Sequence, residues 1–162
     1  MTPTVTTDHE NATFVVAAEY NADLHRVWRL WADPRQLERW WGPPTYPATV
    51  TDHDLTAGGV VRYFMTSPEG EKFGGGWRVR EVDAPHRIEF EDYFADDAGE
   101  ENTAMPVSRS TVTIEPVGPG RTRMTIITRY ETAADLEKVL AMGMSEGITS
   151  AMSQIDALLA EG

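Results

Sequence analysis

The sequence predicts an α+β domain in which one curved antiparallel sheet of about seven strands wraps a long C-terminal helix, with two short helices after the first strand. Three observations carry this expectation. Near the C-terminus, Leu136, Leu140, Gly143, Gly147, Ala151, Ile155 and Leu158 recur at three- and four-residue steps, which lays one stripe along a helix from Thr132 to Glu161. Between Ala48 and Tyr130 the apolar residues instead alternate with period two and are interrupted by turn residues. A second helical stripe, Leu24, Val27, Trp28 and Trp31, directly follows the first alternating segment.

Taken in order, residues 1–12 are polar and without period, which predicts a flexible N-terminal arm ahead of a single domain over residues 13–161. Thr13 to Tyr20 alternates as a strand. Asn21 can cap the helix that follows, and Asp33-Pro34 ends that helix and starts another. Trp40-Trp41-Gly42-Pro43-Pro44 stops the second helix, because glycine and proline cannot continue it. Strands are expected at Ala48–Leu55, Gly59–Thr66, Lys72–Val82, His86–Phe94, Arg109–Glu115 and Arg121–Tyr130, separated by glycine- and proline-containing turns. Thr132 and Asp135 form a capping-box-like start for the last helix. Gly143 and Gly147 each cost about 1 kcal/mol inside a helix relative to alanine, so a cavity or a close approach to the sheet is expected there.

Composition narrows the function. The formal charge is -12, from 14 Lys+Arg against 26 Asp+Glu, and such a field repels phosphate backbones and anionic membranes. No apolar run approaches the roughly 20 residues that span a bilayer, and the N-terminus lacks a signal-peptide pattern, so a cytoplasmic protein without membrane insertion is expected. Zero cysteines exclude disulfides, thiol nucleophiles and thiolate metal sites. Acidic residues crowd from Glu89 to Glu101, either as a solvated strand edge and loop or as a docking patch for a basic partner.

Strand alternation assigns side chains to faces. Val61, Tyr63 and Met65 turn inward together, as do Met124 and Ile126, and Trp77, Val79, Ile88, Phe90, Val112 and Ile114 complete the inner set. The same register turns His53 inward beside Tyr63, where a buried imidazole and phenol could share acid-base work. Trp40 and Trp41 point about 100° apart on a helix end, so one packs and the other forms a cavity rim or an exposed lid; an exposed one would be compatible with a homodimer. Met65, Met124, Met142, Met144 and Met152 offer a polarizable surface suited to irregular apolar ligands or to an ordinary core. Gly74-Gly75-Gly76 precedes a strand, not a helix, so it reads as the bend of a curved strand, not a phosphate loop. No two histidines fall at metal-ligand spacing and no nucleophile elbow is present; no cofactor or metal is expected.

Val27-Trp28-Arg29 with Asp33-Pro34, Trp40-Trp41-Gly42-Pro43, Asp54-Leu55 with Gly58-Gly59, Pro85-His86-Arg87-Ile88-Glu89-Phe90 and Gly143-Met144-Ser145-Glu146-Gly147 occur in one order along the chain. In that order and spacing the chain resembles single-domain bacterial relatives of the C-terminal domain of the heat-shock-protein-90 ATPase activator, within the START-like or SRPBCC superfamily of helix-grip proteins. The resemblance implies a cavity between the sheet and the last helix. It also implies that Ile148, where many relatives carry an aromatic, leaves more room at that wall. The activator's separate N-terminal domain has no counterpart in this sequence, so a chaperone is not an expected partner.

The function expected first is binding of a small, largely apolar or aromatic molecule in that cavity. His53, Tyr63, Met65, Trp77, Phe90, Met124, Met144, Ile148, Met152 and Trp41 would line it. A second expectation is a cyclase- or dehydratase-like enzyme with His53 and Tyr63 as acid and base. The third is a chaperone-related interaction module acting through the acidic surface.

Overall fold

The computed structural model describes residues 2–162. Eight strands form one antiparallel sheet: β1 (Thr4–Asp8), β2 (Thr13–Tyr20), β3 (Ala48–His53), β4 (Val60–Thr66), β5 (Lys72–Asp83), β6 (Arg87–Ala95), β7 (Ser108–Gly118) and β8 (Arg121–Arg129). Their spatial order is β1-β2-β8-β7-β6-β5-β4-β3. From β3 to β8 the chain therefore meanders, and β8 closes onto β2 while β1 extends the sheet beyond it. Helices α1 (Leu24–Ala32) and α2 (Pro34–Trp40) separate β2 from β3.

The expected seven strands become eight because Thr4–Asp8, read from the sequence as part of a flexible arm, pairs along β2 from Thr4↔Ala17 to Asp8↔Thr13. Its residues are mostly exposed on both faces, so burial imposes no alternation and the strand carries no periodic signal. Met1 lies outside the described residues.

Local chemistry explains the helix boundaries. Asp23, not Asn21, caps α1, accepting from the Arg26 backbone amide at 2.8 Å. Asp33 then ends α1 and caps α2 through the Arg35 amide at 2.9 Å, with Pro34 in the first turn where its missing N–H is harmless.

The single C-terminal helix expected from Thr132 to Glu161 is instead three pieces: α3 (Ala133–Ala141), α4 (Met144–Met152) and α5 (Ile155–Ala160). Thr132 caps α3 through the Asp135 amide. Gly143 stands between α3 and α4 with φ +92°, a left-handed conformation that glycine adopts without the Cβ penalty. Gly143 therefore ends a helix rather than occupying its interior. A second turn at Ser153–Gln154 is tied to the α2 corner, where Gln154 Nε2 donates to the Gly42 carbonyl at 2.7 Å.

A continuous core joins all layers. Phe14, Val16 and Tyr20 of β2, Trp31 of α1, Trp40 of α2, Trp77 of β5, Phe90 of β6, Met124 of β8, Leu136 of α3, Met152 of α4 and Ile155 of α5 are each almost completely buried within it. Trp77 stacks on Phe90 with ring centroids 4.2 Å apart, and Trp31 meets Trp40 edge-on at 4.9 Å. Both indole N–H groups of the helical pair are satisfied, Trp31 by Met124 Sδ and Trp40 by the Leu30 carbonyl.

Candidate functional site

Beside this core, the sheet and the C-terminal helices leave a cavity of about 280 Å³. Phe14 and Val16 of β2, Tyr63 and Met65 of β4, Asp92 and Phe94 of β6, Ser108 and Ser110 of β7, and Ile126 and Thr128 of β8 form its sheet side. Val139 of α3, then Met142, Gly143, Met144, Gly147 and Ile148, form the helix side, with Trp41, Pro43 and Pro106 at the rim. Gly147 is the reason the helix side stands open: a Cβ built there meets no atom within 4 Å. Met142, 56% exposed, sits where the wall meets solvent.

The polar heart of the cavity is Asp92. Its side chain follows the inward alternation of Ile88 and Phe90 along β6, so the strand pleat turns a carboxylate into an apolar space. Tyr63 Oη donates to Asp92 Oδ1 at 3.1 Å. Among the described residues no donor meets Asp92 Oδ2. Burial pushes the Asp92 carboxyl up from 3.8 to about 7, although the hydrogen bond from Tyr63 works in the opposite direction. Burial and the neighbouring Asp92 charge raise the Tyr63 phenol well above its ordinary value. Tyr130 is raised in the same way, by burial first and then by Asp92. Asp92 keeps accessible surface because it lines the cavity, yet it is deeply enclosed by protein.

Glycines fit the phenol rings into the sheet. Gly75 lies opposite Tyr63 across β4 and β5, and a Cβ there would run into the Tyr63 ring. Gly76 makes the same allowance for Tyr93 on β6. The Gly74-Gly75-Gly76 run, read from the sequence as a bend, thus clears space for two cross-strand tyrosines. The indole N–H groups of Trp41 and Trp77 are buried near the Tyr63 oxygen without closing a hydrogen bond.

The structure brings Tyr63, Met65, Met144, Ile148 and Trp41, all expected at the site, together around this cavity. It does not bring His53 there. His53 Nε2 lies 2.9 Å from the Trp31 carbonyl, at the end of α1, and the carbonyl can only accept, so Nε2 carries the proton. Tyr63 turns to Asp92 instead, and the expected His53–Tyr63 acid-base pair does not form. His53 does share the inner face with its ladder partner, the buried Val61, but Tyr63 lies one inward step further along β4, opposite Val50 across a bulge between Val50 and Asp52. Trp77, Phe90, Met124 and Met152 also fall outside the lining, as buried core. Of the adjacent tryptophans, Trp40 is fully buried and Trp41 half-buried at the rim, so neither offers the exposed surface expected of a dimer contact.

Asp92 is the residue the sequence reading missed, having been counted among the acidic run. Three of the six other acidic residues of that run pair with arginines: Glu91 with Arg78, Arg80 and Arg109, Glu89 with Arg87, and Glu101 with Arg78. Asp96 is spent on a turn, accepting from the Ala98 and Glu100 amides. Such intramolecular pairing weakens the acidic stretch as a docking patch. No helix among the described residues is long and apolar enough to cross a membrane.

Known proteins share this architecture. A crystal structure of a protein from Mycobacterium smegmatis is 49% identical, with a TM-score of 0.89 over 97% of this chain and 96% of that one. A solution structure from Arthrobacter aurescens is 47% identical, with a TM-score of 0.93 over 98% and 92% of the two chains. Another from Staphylococcus epidermidis is 27% identical, with a TM-score of 0.83 over 98% and 94%. No curated protein matches the chain. The profile of the family described as Activator of Hsp90 ATPase homolog 1-like protein matches residues 21–160. The chain belongs to that family, a branch of the START-like superfamily.

Proposed function

We propose that this protein binds a small, largely apolar molecule in the cavity between the sheet and the α3–α4 segment. The observation that carries the reading is the cavity itself, about 280 Å³ of mostly apolar lining around a buried carboxylate. That volume sits at the lower edge of the roughly 300–1,000 Å³ range of small-molecule sites and suits a body of one or two rings. Gly147 supports the reading, because a helix position that gives up about 1 kcal/mol of propensity relative to alanine leaves open space and not a packing contact. Met65, Met142 and Met144 supply adaptable walls.

The test is a thermal-shift screen with fatty acids, sterols, flavonoids and arylalkylamines, run on the native protein and on Gly147→Leu, whose side chain fills the cavity. Specific binding raises the apparent stability by mass action. A saturable shift from one chemical class, lost in the filled variant, is expected. Shifts from no class, or shifts equal in both proteins, would remove the cavity as a binding site.

A further inference from the structure

The cavity holds a carboxylate and no positive charge to match it. Tyr63 reaches one oxygen of Asp92, and among the described residues no donor meets the other. The neighbours that could supply one do not. Tyr63 of β4 and Tyr130 after β8 are neutral phenols, Trp77 of β5 and Ser108 of β7 are uncharged, and Val139, Met142, Met144, Gly147 and Ile148 bring only apolar atoms from the helices. Not one lysine, arginine or histidine is among the lining residues. Every arginine that pairs with the acidic run does so from the other face of the sheet, at Glu89, Glu91 and Glu101. A buried charge without a partner is costly, so natural structures pair it, neutralise it or leave it for a ligand.

We propose that the cavity is built for an apolar amine, whose ammonium group donates to Asp92 Oδ2 while its ring or chain lies against Met65, Met144 and Ile148. The proposal rests on the cavity-binding reading above and adds the chemistry of the polar end. Ring faces strengthen it: Trp41 and Tyr63, edge-on with centroids 6.0 Å apart, border the same space, and aromatic faces attract cations. The overall charge of -12 acts at longer range, concentrating cations and repelling carboxylates before they reach the mouth. Fatty acids and other anionic lipids are thereby disfavoured twice, by the field outside and by Asp92 inside.

The experiment uses four probes on one skeleton: naphthylmethylamine, naphthylmethanol, naphthoate and methylnaphthalene. Their dissociation constants are measured by calorimetry with the full chain and with Asp92→Asn. At about pH 8.5 both the amine and Asp92 are charged, and the amine is expected to bind about tenfold tighter than methylnaphthalene or more, an advantage that Asp92→Asn erases. Lowering the pH of the native protein to about 5 protonates Asp92 and should erase the same advantage without any substitution, which covers the case of a variant that fails to fold. If the alcohol or the hydrocarbon binds as tightly as the amine, or naphthoate binds best, the amine inference is overturned while the cavity reading stands. If no probe binds and the Gly147→Leu comparison is also silent, both fall.

Discussion

At Asp92 the fold accepts a penalty that titration makes visible. Its carboxyl is raised from 3.8 to about 7 in the folded chain, so between those values the unfolded chain releases a proton that the folded chain keeps. Release favours unfolding: stability is fully present below about pH 4, falls as the pH rises through that window, and is level again above about pH 7. Asp92→Asn removes the ionisation and should stabilise the ligand-free protein at about pH 8 by a few kcal/mol, with little effect at about pH 4; urea unfolding at the two pH values measures both. An equal effect at both would mean that burial does not control the carboxyl. Asp92 was legible in principle, since the alternation that turns Ile88 and Phe90 inward continues to it. Its place inside a dense acidic run hid that pattern, because charge counting treats every carboxylate as solvated. His53 fails for a different reason: alternation gives its face, since it pairs with the buried Val61, but not the partner of its ring, which reaches the Trp31 carbonyl while Tyr63 turns to Asp92. Glycines separate by what faces them. Gly75→Ala drives a methyl into the Tyr63 ring and should cost about 1–3 kcal/mol as an overpacked site. Gly147→Ala enters open space and should stabilise by about 1 kcal/mol, so opposite shifts in denaturation midpoint are expected from the same chemical change.

Among the elements, the C-terminal segment departs furthest from its sequence reading. Leu136, Leu140, Gly147, Ala151, Ile155 and Leu158 keep helical spacing across two breaks, because a left-handed residue redirects the axis without changing the count on either side. Three- and four-residue periodicity therefore identifies the helical stretch and its buried face but does not report a change of direction. Gly143 was the available signal, and its ambiguity is physical: a glycine in a helix pattern serves equally as a gap in the side chains or as a stop. Gly143→Ala separates the two, since φ +92° costs an alanine about 1–2 kcal/mol. Equilibrium unfolding of that variant should show the loss, whereas a Gly143 inside a continuous helix would have been stabilised by the same change. Of the two outer strands, β3 was expected and found, two residues shorter, whereas Thr4–Asp8 was missed because it is mostly exposed and carries no alternation.

For the whole molecule, the α+β class, the two helices after the first core strand and the antiparallel meander were all legible, because each depends on short-range periodicity and turn chemistry. The cavity was legible only in part: the helix glycines allowed either a cavity or a close approach, and the resemblance favoured the cavity, while its lining depends on which elements approach and how far. Charge is the other global property. The chain carries an excess of 12 negative charges, and ion pairs such as Glu19 with Arg121 and Arg123 leave the whole of that excess in place. Salt at about 0.5 M should raise the melting temperature by screening the self-repulsion, even though it weakens each ion pair. A fall would show that the arginine pairs outweigh the net field. Finally, four of the five tryptophans form one connected cluster, Trp31, Trp40, Trp41 and Trp77, with neighbouring rings 4.9 to 5.7 Å apart. Only Trp41 among them borders the cavity. Rings that close exchange excitation energy, so light absorbed anywhere in the cluster reaches Trp41, and an occupant touching that one indole would dim or shift the emission of all four.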